Sequence, residues 1–263
     1  MKIANKNYTI KGSIDTNIVL ISDIHYYNKK DILHLNKVLD NIKNLKPNFI
    51  CIPGDLLDES NVYDENYLIE WLTKLANVSK VILTLGNHEL YINKSKKIYG
   101  LNNQLINRIK KIKNLYLLDN ESKVINNINF TGVTLNTDEY HKEEKHIIDF
   151  NKYNLDSEYY NIVLCHTPLS IINKTNLKNI DLVLCGHMHG GLMPRFLRKI
   201  FKNSGLINPS KRLFPQNVYG KIQKQDSTII ITSGITVVSH LNSFRILKNF
   251  FASEIVEIKI KDN

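Results

Sequence analysis

The chain contains five short apolar runs, and each of them stops at a cluster of polar residues. The runs are rich in β-branched residues, which is typical of strands buried on both faces. In chain order they are NIVLIS, followed by Asp23 and His25; FICIP, followed by Asp55 and Asp58; VILTL, followed by Asn87 and His88; NIVLC, followed by His166; and DLVLC, followed by His187 and His189. The pattern predicts five strands that carry polar side chains at their carboxyl ends.

Amphipathic segments separate the early runs and predict helices over residues 32–45, about 64–77 and about 100–113. Pro47 follows the end of the first of these segments. The alternation of strand and helix predicts an α/β fold with a largely parallel sheet in the amino-terminal half. The apolar face of the first helix is formed by Ile32, Leu33, Leu35, Val38, Leu39, Ile42 and Leu45.

From residue 115 onward the pattern changes to shorter apolar segments with less helix between them. These segments predict the strands of a second, mixed sheet packed against the first. They are YLLDN, SKVIN, INFTGVTL, STIIITSG and SEIVEIKI.

The chain shows no internal repeat, low-complexity tract or flexible linker, so we expect a single domain over residues 1–263. No apolar stretch reaches the roughly 18 residues of a membrane-spanning helix, and the N-terminus lacks the apolar core of a secretory signal. The three cysteines are odd in number and widely spaced, which favours a reducing compartment over a disulfide scaffold. We therefore expect a cytoplasmic location, and nothing in the sequence predicts an obligate protein partner.

The chain carries a formal net charge of +10. This charge suits nucleic acid, anionic lipid headgroups or phosphorylated metabolites without selecting among them. A general preference for Lys and Asn in the chain explains it equally well. The charge alone does not identify a ligand.

Residues 192–226 follow the last polar cluster and are expected to form a basic cap over the site. The part spanning 192–215 has six basic residues and no acidic one, and we expect Arg195 to contact substrate. An amphipathic helix there could lie peripherally on an anionic membrane or hold a lipid-linked phosphate. Alternatively, the segment is a solvated cap that packs its aromatic residues on the domain. Residues 244–251 could extend the same surface.

Ligands of an open α/β sheet bind beyond the carboxyl ends of its strands, so the polar clusters are expected to converge. Imidazole, carboxylate and amide oxygen together suit Mn, Fe or Zn. The number of candidate ligands exceeds the need of one tetrahedral zinc and fits two metal ions that share a carboxylate, for which Asp55 is well placed. The candidate metal ligands are Asp23, His25, Asp55, Asn87, His166, His187 and His189.

Two metal ions about 3.5–4 Å apart activate a shared water and hold a phosphoryl group for in-line displacement. His88 could then donate a proton to the leaving oxygen, and Asp58 could orient the His88 ring. Alternatively, Asp23 and Asp58 are helix caps and His166 is an ordinary buried histidine. The cysteines lie on apolar runs and are expected to be buried core residues.

The ordered motifs DIH, GDLLD, GNHE, a later strand-end His and GHMHGG, over residues 23–191, resemble the calcineurin-like metallophosphoesterase superfamily. The resemblance implies a four-layer fold in which helices flank a two-sheet β-sandwich, with two metal ions at the sheet edge. It assigns Asp23, His25, Asp55 and His189 to one metal. It assigns Asp55, Asn87, His166 and His187 to the other, and His88 to catalysis.

Within that superfamily the chain is similar to bacterial phosphodiesterases that include enzymes with cell-envelope and lipid-nucleotide substrates. Leu192 replaces a glutamine of many members, and Glu59 replaces the arginine of protein phosphatases. The predicted reaction is hydrolysis of a phosphodiester or pyrophosphate bond by in-line attack of a metal-bridging hydroxide, with His88 as proton donor. A metal-dependent nuclease and a non-catalytic scaffold are the alternatives.

Overall fold

The fold consists of two six-stranded mixed sheets, each flanked by helices. The computed structural model describes residues 3–26, 31–58, 64–90, 92–93, 98–99, 101–194, 196–198, 200–208, 212–236 and 253–262. The first sheet has the strand order β1-β14-β2-β3-β4-β7, and the second has the order β12-β13-β11-β10-β9-β8. A two-stranded ribbon, β5-β6, lies outside both sheets. The predicted α/β sandwich is confirmed.

The strands are β1 (Ile3–Lys11), β2 (Thr16–Leu20), β3 (Phe49–Pro53), β4 (Lys80–Thr84), β5 (Ile92–Asn93), β6 (Ile98–Tyr99), β7 (Leu115–Leu117), β8 (Glu121–Ile125), β9 (Ile128–Val133), β10 (Tyr160–Cys165), β11 (Leu182–Cys185), β12 (Gly220–Lys224), β13 (Ser227–Ile231) and β14 (Ser253–Lys261). The helices are α1 (Ile32–Leu45), α2 (Glu65–Val78), α3 (Asn87–Leu90), α4 (Asn103–Lys110), α5 (Thr137–His141) and α6 (Pro168–Asn173). Short 3₁₀ turns follow at Phe150–Lys152 and His189–Leu192.

The side chains of the central strands alternate between two apolar layers. On β3, Cys51 packs in the layer between the two sheets, whereas Ile50 and Ile52 pack against the helices of the first sheet. On β10, Leu164 faces the inter-sheet layer and Val163 faces the outer layer of the second sheet. Successive side chains of a strand face opposite layers, and both layers are apolar, so each central strand is apolar throughout. The resulting four layers follow in the order helix, sheet, sheet, helix.

The three predicted helices form close to their expected bounds. Asp64 caps α2 by accepting hydrogen bonds from the backbone N–H groups of Asn66 and Tyr67. Helix α1 ends where Lys46 adopts a left-handed conformation, with φ 46°. The predicted inward face of α1 is wrong at Leu33, whose side chain is 75% exposed, because the neighbouring positions Leu35, Val38, Leu39 and Ile42 already fill the buried stripe.

Two segments expected in the second sheet belong instead to the first. Residues 115–117 form β7, which pairs in parallel with β4. Residues 253–261 form β14, which pairs in parallel with β1 and antiparallel with β2. The length and apolarity of a strand do not determine which sheet it joins. The position of these two segments late in the chain therefore did not predict their sheet correctly. The polar edge strand β1 and the strand β12 were not predicted.

The described residues between 192 and 219 do not form the amphipathic helix that was one of the two alternatives for this segment. They form turns and an isolated antiparallel bridge between Ile207 and Leu213. No helix in the described part of the chain is both long enough and apolar enough to cross a membrane.

The cysteines occupy the positions expected for core residues. All three are free and buried, on β3, β10 and β11. Burial raises the pKa of the Cys51 thiol and of the Cys165 thiol. These thiols are therefore apolar packing groups.

Candidate metal centre

Both sheets deliver polar side chains to one edge of the sandwich. Three of the clusters follow β2, β3 and β4, which are parallel neighbours in the first sheet. The other clusters follow β10 and β11, which are parallel neighbours in the second sheet. The residues in these clusters that were predicted as ligands are Asp23, His25, Asp55, Asn87, His166, His187 and His189.

Most of these residues have backbone torsions that are unfavourable for a side-chain-bearing residue. A positive φ is uncommon outside glycine and costs of order 1–3 kcal/mol when it is strained. Such strain persists only where the surroundings impose it, and it concentrates at functional sites. The values are 51° for Asp23, 44° for His25, 54° for Asp55, 69° for His187 and 45° for His189.

The functional atoms of the cluster face one another at close range. The Nε2 atom of His166 lies 2.9 Å from Asp55 Oδ2, and His25 Nε2 lies 3.7 Å from the same oxygen. The Nε2 atoms of His25 and His189 are 3.3 Å apart. On the other side, His189 Nε2 is 3.5 Å from Asp23 Oδ1. Three imidazoles and two carboxylates therefore surround a small shared space.

Three overlapping groups of side chains have ligand atoms that all lie within 4.8 Å of one another. Such spacing is what a single cation requires of its ligands, and the groups share members, so the cluster could hold more than one ion. The groups are Asp23, His25 and His189; His25, Asp55 and His88; and Asp55, His166 and His187.

Burial and charge set the protonation of the cluster. Burial lowers the pKa of His25 and of His189, so both imidazoles stay neutral, the form that binds metal. Burial alone would also lower the pKa of His166, but the adjacent Asp55 carboxylate outweighs it and raises this pKa to about 10. The same ion pair overcomes the effect of burial on Asp55 and holds the pKa of its carboxyl well below the usual value. The protein alone thus balances the charge of Asp55 with a proton on His166.

Backbone groups fix the orientation of two of these side chains. The Nδ1 atom of His166 donates to the Pro53 carbonyl at 2.7 Å, which leaves Nε2 directed at Asp55. The carboxylate of Asp23 accepts from the His187 backbone N–H at 3.0 and 3.1 Å. Both contacts join a loop of the first sheet to a loop of the second, so the site is held across the two sheets.

The amide oxygen of Asn87 is among the buried side-chain atoms without a hydrogen-bond partner in the described residues, and it fits a metal ligand. A buried amide oxygen without a partner is costly, and coordination of a cation would relieve that cost. The donor set of carboxylate, imidazole and amide oxygen matches Mn, Fe or Zn.

Glu89 organises the first-sheet side of the site, a role that the sequence analysis did not assign. Its buried carboxylate accepts four backbone hydrogen bonds, from Gly86 (2.7 Å), Asp55 (2.9 Å), Leu56 (2.7 Å) and Leu57 (3.1 Å). Only a glycine fits at position 86, because a Cβ there would lie 2.6 Å from the Asp55 nitrogen. The GNHE motif contains this glutamate, but its spacing did not indicate which groups the carboxylate would bind.

Glu143 contacts the second-sheet side of the site and was also missed. Its carboxylate oxygens lie 3.3 and 3.4 Å from His187 Nε2, and the residue is 5% exposed. It lies just after α5, in a stretch of charged residues that gave no sign of burial. No local pattern could have identified it.

The remaining predicted site residues have different positions. His88 borders the cluster, with Nε2 4.0 Å from Asp55 Oδ2 and its ring against that of His25. Asp58 is buried and donates its backbone N–H to the Tyr26 carbonyl, so it is not a surface helix cap, and its support of His88 stays a prediction. Arg195 lies outside the described residues.

The basic segment differs from the expectation in two respects. Arg198 points inward, where it donates to Met193 O (3.1 Å) and Ser233 Oγ (2.7 Å) and stacks over Tyr219. The side chain of Phe214 is 70% exposed, so this residue does not pack on the domain as one alternative supposed.

Comparisons with known proteins place the chain among phosphoesterases. The model of the calcineurin-like phosphoesterase family matches residues 16–191. An uncharacterized metallophosphoesterase of Campylobacter jejuni is 26% identical over 198 residues, which cover 74% of this chain and 49% of the relative. One from Aquifex aeolicus is 31% identical over 150 residues, which cover 56% and 53%. The chain spans about half the length of these relatives.

Among solved structures, an archaeal phosphodiesterase superposes on 83% of this chain, and the superposition covers 84% of that protein. The TM-score is 0.38 and the sequence identity 13%, a distant likeness.

Proposed function

The chain belongs to the calcineurin-like phosphoesterase family, and on that premise we propose that it is a metal-dependent hydrolase of phosphodiester or pyrophosphate bonds. The observation that carries the proposal is the buried cluster of carboxylate, imidazole and amide groups that both sheets contribute at one edge. Its strained backbone and unpartnered amide oxygen support a binding role over a structural one.

We further propose that the cluster holds two divalent metal ions, Mn or alternatively Fe or Zn. Asp55 lies in two of the three close groups, which supports its role as the shared ligand. One ion would be held by Asp23, His25, Asp55 and His189, and the other by Asp55, Asn87, His166 and His187. Metal ions in this position would supply Lewis-acid neutralisation of the phosphoryl group and activation of the attacking water.

The protein's own residues would bind and orient the substrate and protonate its leaving-group oxygen. The His88 side chain is 20% exposed, more than any ligand imidazole of the cluster, so it can reach the leaving-group oxygen from the rim. We assign it the donation of a proton to that oxygen. Asp58 would keep the ring in position, and Arg195 would contact the substrate.

The proposed preference for diester or pyrophosphate substrates rests on sequence motifs. Glu59 stands where protein phosphatases of the superfamily carry arginine, and an acidic residue there disfavours a dianionic phosphoprotein ester. The similarity of GHMHGG and the following basic residues to bacterial phosphodiesterases points the same way.

The test is hydrolysis of bis(p-nitrophenyl) phosphate by chelator-treated protein, before and after addition of Mn. We expect activity to depend on the metal and to exceed that on p-nitrophenyl phosphate. The variant His88→Asn is expected to lose about 10²-fold or more in kcat while it retains its metal, because only the proton transfer is removed. A matched control is His141→Asn, which changes an exposed histidine outside the cluster.

Two results would contradict the proposal. A folded protein that hydrolyses neither ester with Mn, Fe or Zn would favour the non-catalytic scaffold. Faster hydrolysis of the monoester would overturn the preference for diesters while it preserves the metal-dependent phosphoesterase.

A further inference from the structure

Large apolar side chains are exposed in one stretch of the chain. The described residues contain nine large hydrophobic side chains that are exposed, and six of these lie between residues 196 and 214. Single exposed apolar residues are ordinary, but a concentration of this kind marks an interaction surface. The six, which we name the apolar patch, are Phe196 (64% exposed), Ile200 (71%), Phe201 (48%), Leu206 (38%), Leu213 (70%) and Phe214 (70%).

The chain that carries the apolar patch folds back on itself in a defined way. The Phe214 N–H donates to the Leu206 carbonyl, and Ile207 pairs with Leu213 in an isolated antiparallel bridge. Further along the chain, the Tyr219 hydroxyl donates to the Phe201 carbonyl at 2.6 Å. These contacts join the described parts of the segment and leave the side chains of the apolar patch exposed.

The segment is attached directly to the loop that carries His189. The backbone N–H groups of Leu206 and Ile207 donate to the Gly191 carbonyl at 2.7 and 3.2 Å. Arg198 reaches back to Ser233 Oγ and secures the other part of the segment. A surface that engages the patch would therefore lie beside the candidate metal centre.

The charge of this segment selects the kind of partner. Residues 192–215 carry six basic residues and no acidic residue. Of the three basic residues that the structure describes there, Arg198 points inward, whereas Lys202 and Arg212 are exposed beside the apolar side chains. Protruding apolar side chains next to cations match the interface of an anionic bilayer, where the side chains enter the acyl boundary and the cations face the headgroups.

We propose that the apolar patch docks this protein peripherally on an anionic lipid surface. The proposal goes beyond the proposed function and does not depend on it. A second copy of the chain is a less suitable partner, because a two-fold contact would bring the same basic segment of each copy together.

The experiment is co-sedimentation of the full chain with vesicles of phosphatidylcholine alone or mixed with phosphatidylserine. We expect binding to the mixed vesicles that weakens with added salt. The double variant Ile200→Ser/Phe214→Asn is expected to bind about tenfold or more weakly. Asparagine is chosen at position 214 because φ is 52° there, a value that asparagine tolerates.

Matched controls separate the patch from general surface effects. Leu33→Ser/Ile147→Asn removes two exposed apolar side chains elsewhere and is expected to bind as the unmodified protein does. Lys202→Glu is expected to weaken binding roughly fivefold or more, whereas the exposed Lys178→Glu is expected to leave it unchanged. A urea denaturation midpoint of the patch variant that equals that of the unmodified protein verifies that the fold is intact.

Four outcomes would overturn the proposal. The first is recovery of the unmodified protein only in the supernatant with both kinds of vesicle. The second is equal binding to both kinds, and the third is an equal reduction of binding by the Leu33→Ser/Ile147→Asn variant. Finally, concentration-dependent dimers that the patch variant abolishes, without vesicle binding, would identify a contact between copies instead.

Discussion

The two sides of the candidate metal centre are held by different means. On the first-sheet side, Glu89 binds four backbone N–H groups and fixes the loops that carry Asp55 and Asn87. On the second-sheet side, the Glu143 carboxylate contacts the ring of His187. Both glutamates are buried, but Glu89 binds the backbone of several residues, whereas Glu143 contacts a candidate ligand side chain directly.

This difference predicts which properties a substitution of each glutamate would change. Loss of a carboxylate that serves several backbone donors leaves those donors buried and unpaired, so the whole edge of the sheet is weakened. Loss of a carboxylate that contacts a ligand imidazole is expected to act first on that ligand and on the affinity for metal. Substitution of Glu89 should therefore lower mainly the stability of the fold, whereas substitution of Glu143 should lower mainly the affinity for metal.

The largest effect is expected for Glu89→Gln. One acceptor oxygen becomes an NH₂ donor that faces backbone N–H groups, so we expect the free energy of unfolding to fall by about 2–5 kcal/mol, with loss of activity. Urea denaturation of the metal-free protein measures it. Glu70→Gln, which changes an exposed glutamate paired with Lys74, is the control and should stay within about 0.5 kcal/mol. A loss below about 1 kcal/mol for Glu89→Gln would refute the structural role of this carboxylate.

Asn87→Ala tests a ligand on the same side. Its buried oxygen has no partner among the described residues, so we expect little change in stability without metal, but about 100-fold weaker metal binding. Calorimetric titration with Mn measures the affinity. Asn129→Ala is the opposite control, because the Asn129 amide donates to Asn154 O and Asn161 Oδ1. Its loss should lower the free energy of unfolding by about 1–3 kcal/mol and leave the metal affinity unchanged. Equal metal affinity of the unmodified protein and Asn87→Ala would exclude Asn87 as a ligand.

The smallest effect is expected for Glu143→Gln. The amide keeps the volume of the carboxylate but weakens its contact with His187, so we expect about tenfold weaker metal binding and less than about 1 kcal/mol loss of stability. Glu144→Gln, at the adjacent position and paired with Arg212, should change neither quantity. If Glu143→Gln destabilised the metal-free protein as much as Glu89→Gln, the contrast between the two sides would be lost.

The sequence was sufficient for features that depend on local periodicity. Buried strands and the polar residues at their ends can be recognised because alternation and strand termination leave a mark on neighbouring positions, as at FICIP before Asp55. The parallel arrangement then brings those ends together, and the structure does place the predicted ligands at one edge.

Features that depend on distant pairing could not be predicted in this way. Glu143 lies among exposed charged residues, and only the fold brings it to His187. The assignment of β7 and β14 to the first sheet likewise depends on partners far away in the chain. Arg198 belongs to a basic run, but it points inward because its guanidinium bonds Ser233 Oγ and stacks over the Tyr219 ring, two partners that are distant in the chain.

The position of β14 also bears on how the chain acquires its fold during synthesis. In the described sheet, β1 lies at the edge and pairs with β14, whose residues are made more than two hundred positions later. Closing so long a loop is slow and entropically costly, so β1 leaves the ribosome long before its neighbour exists. The core of β2, β3 and β4 can assemble first, and the amino-terminal strand joins it only after β14 has emerged. Until then β1 has an unpaired edge, which chaperones could recognise.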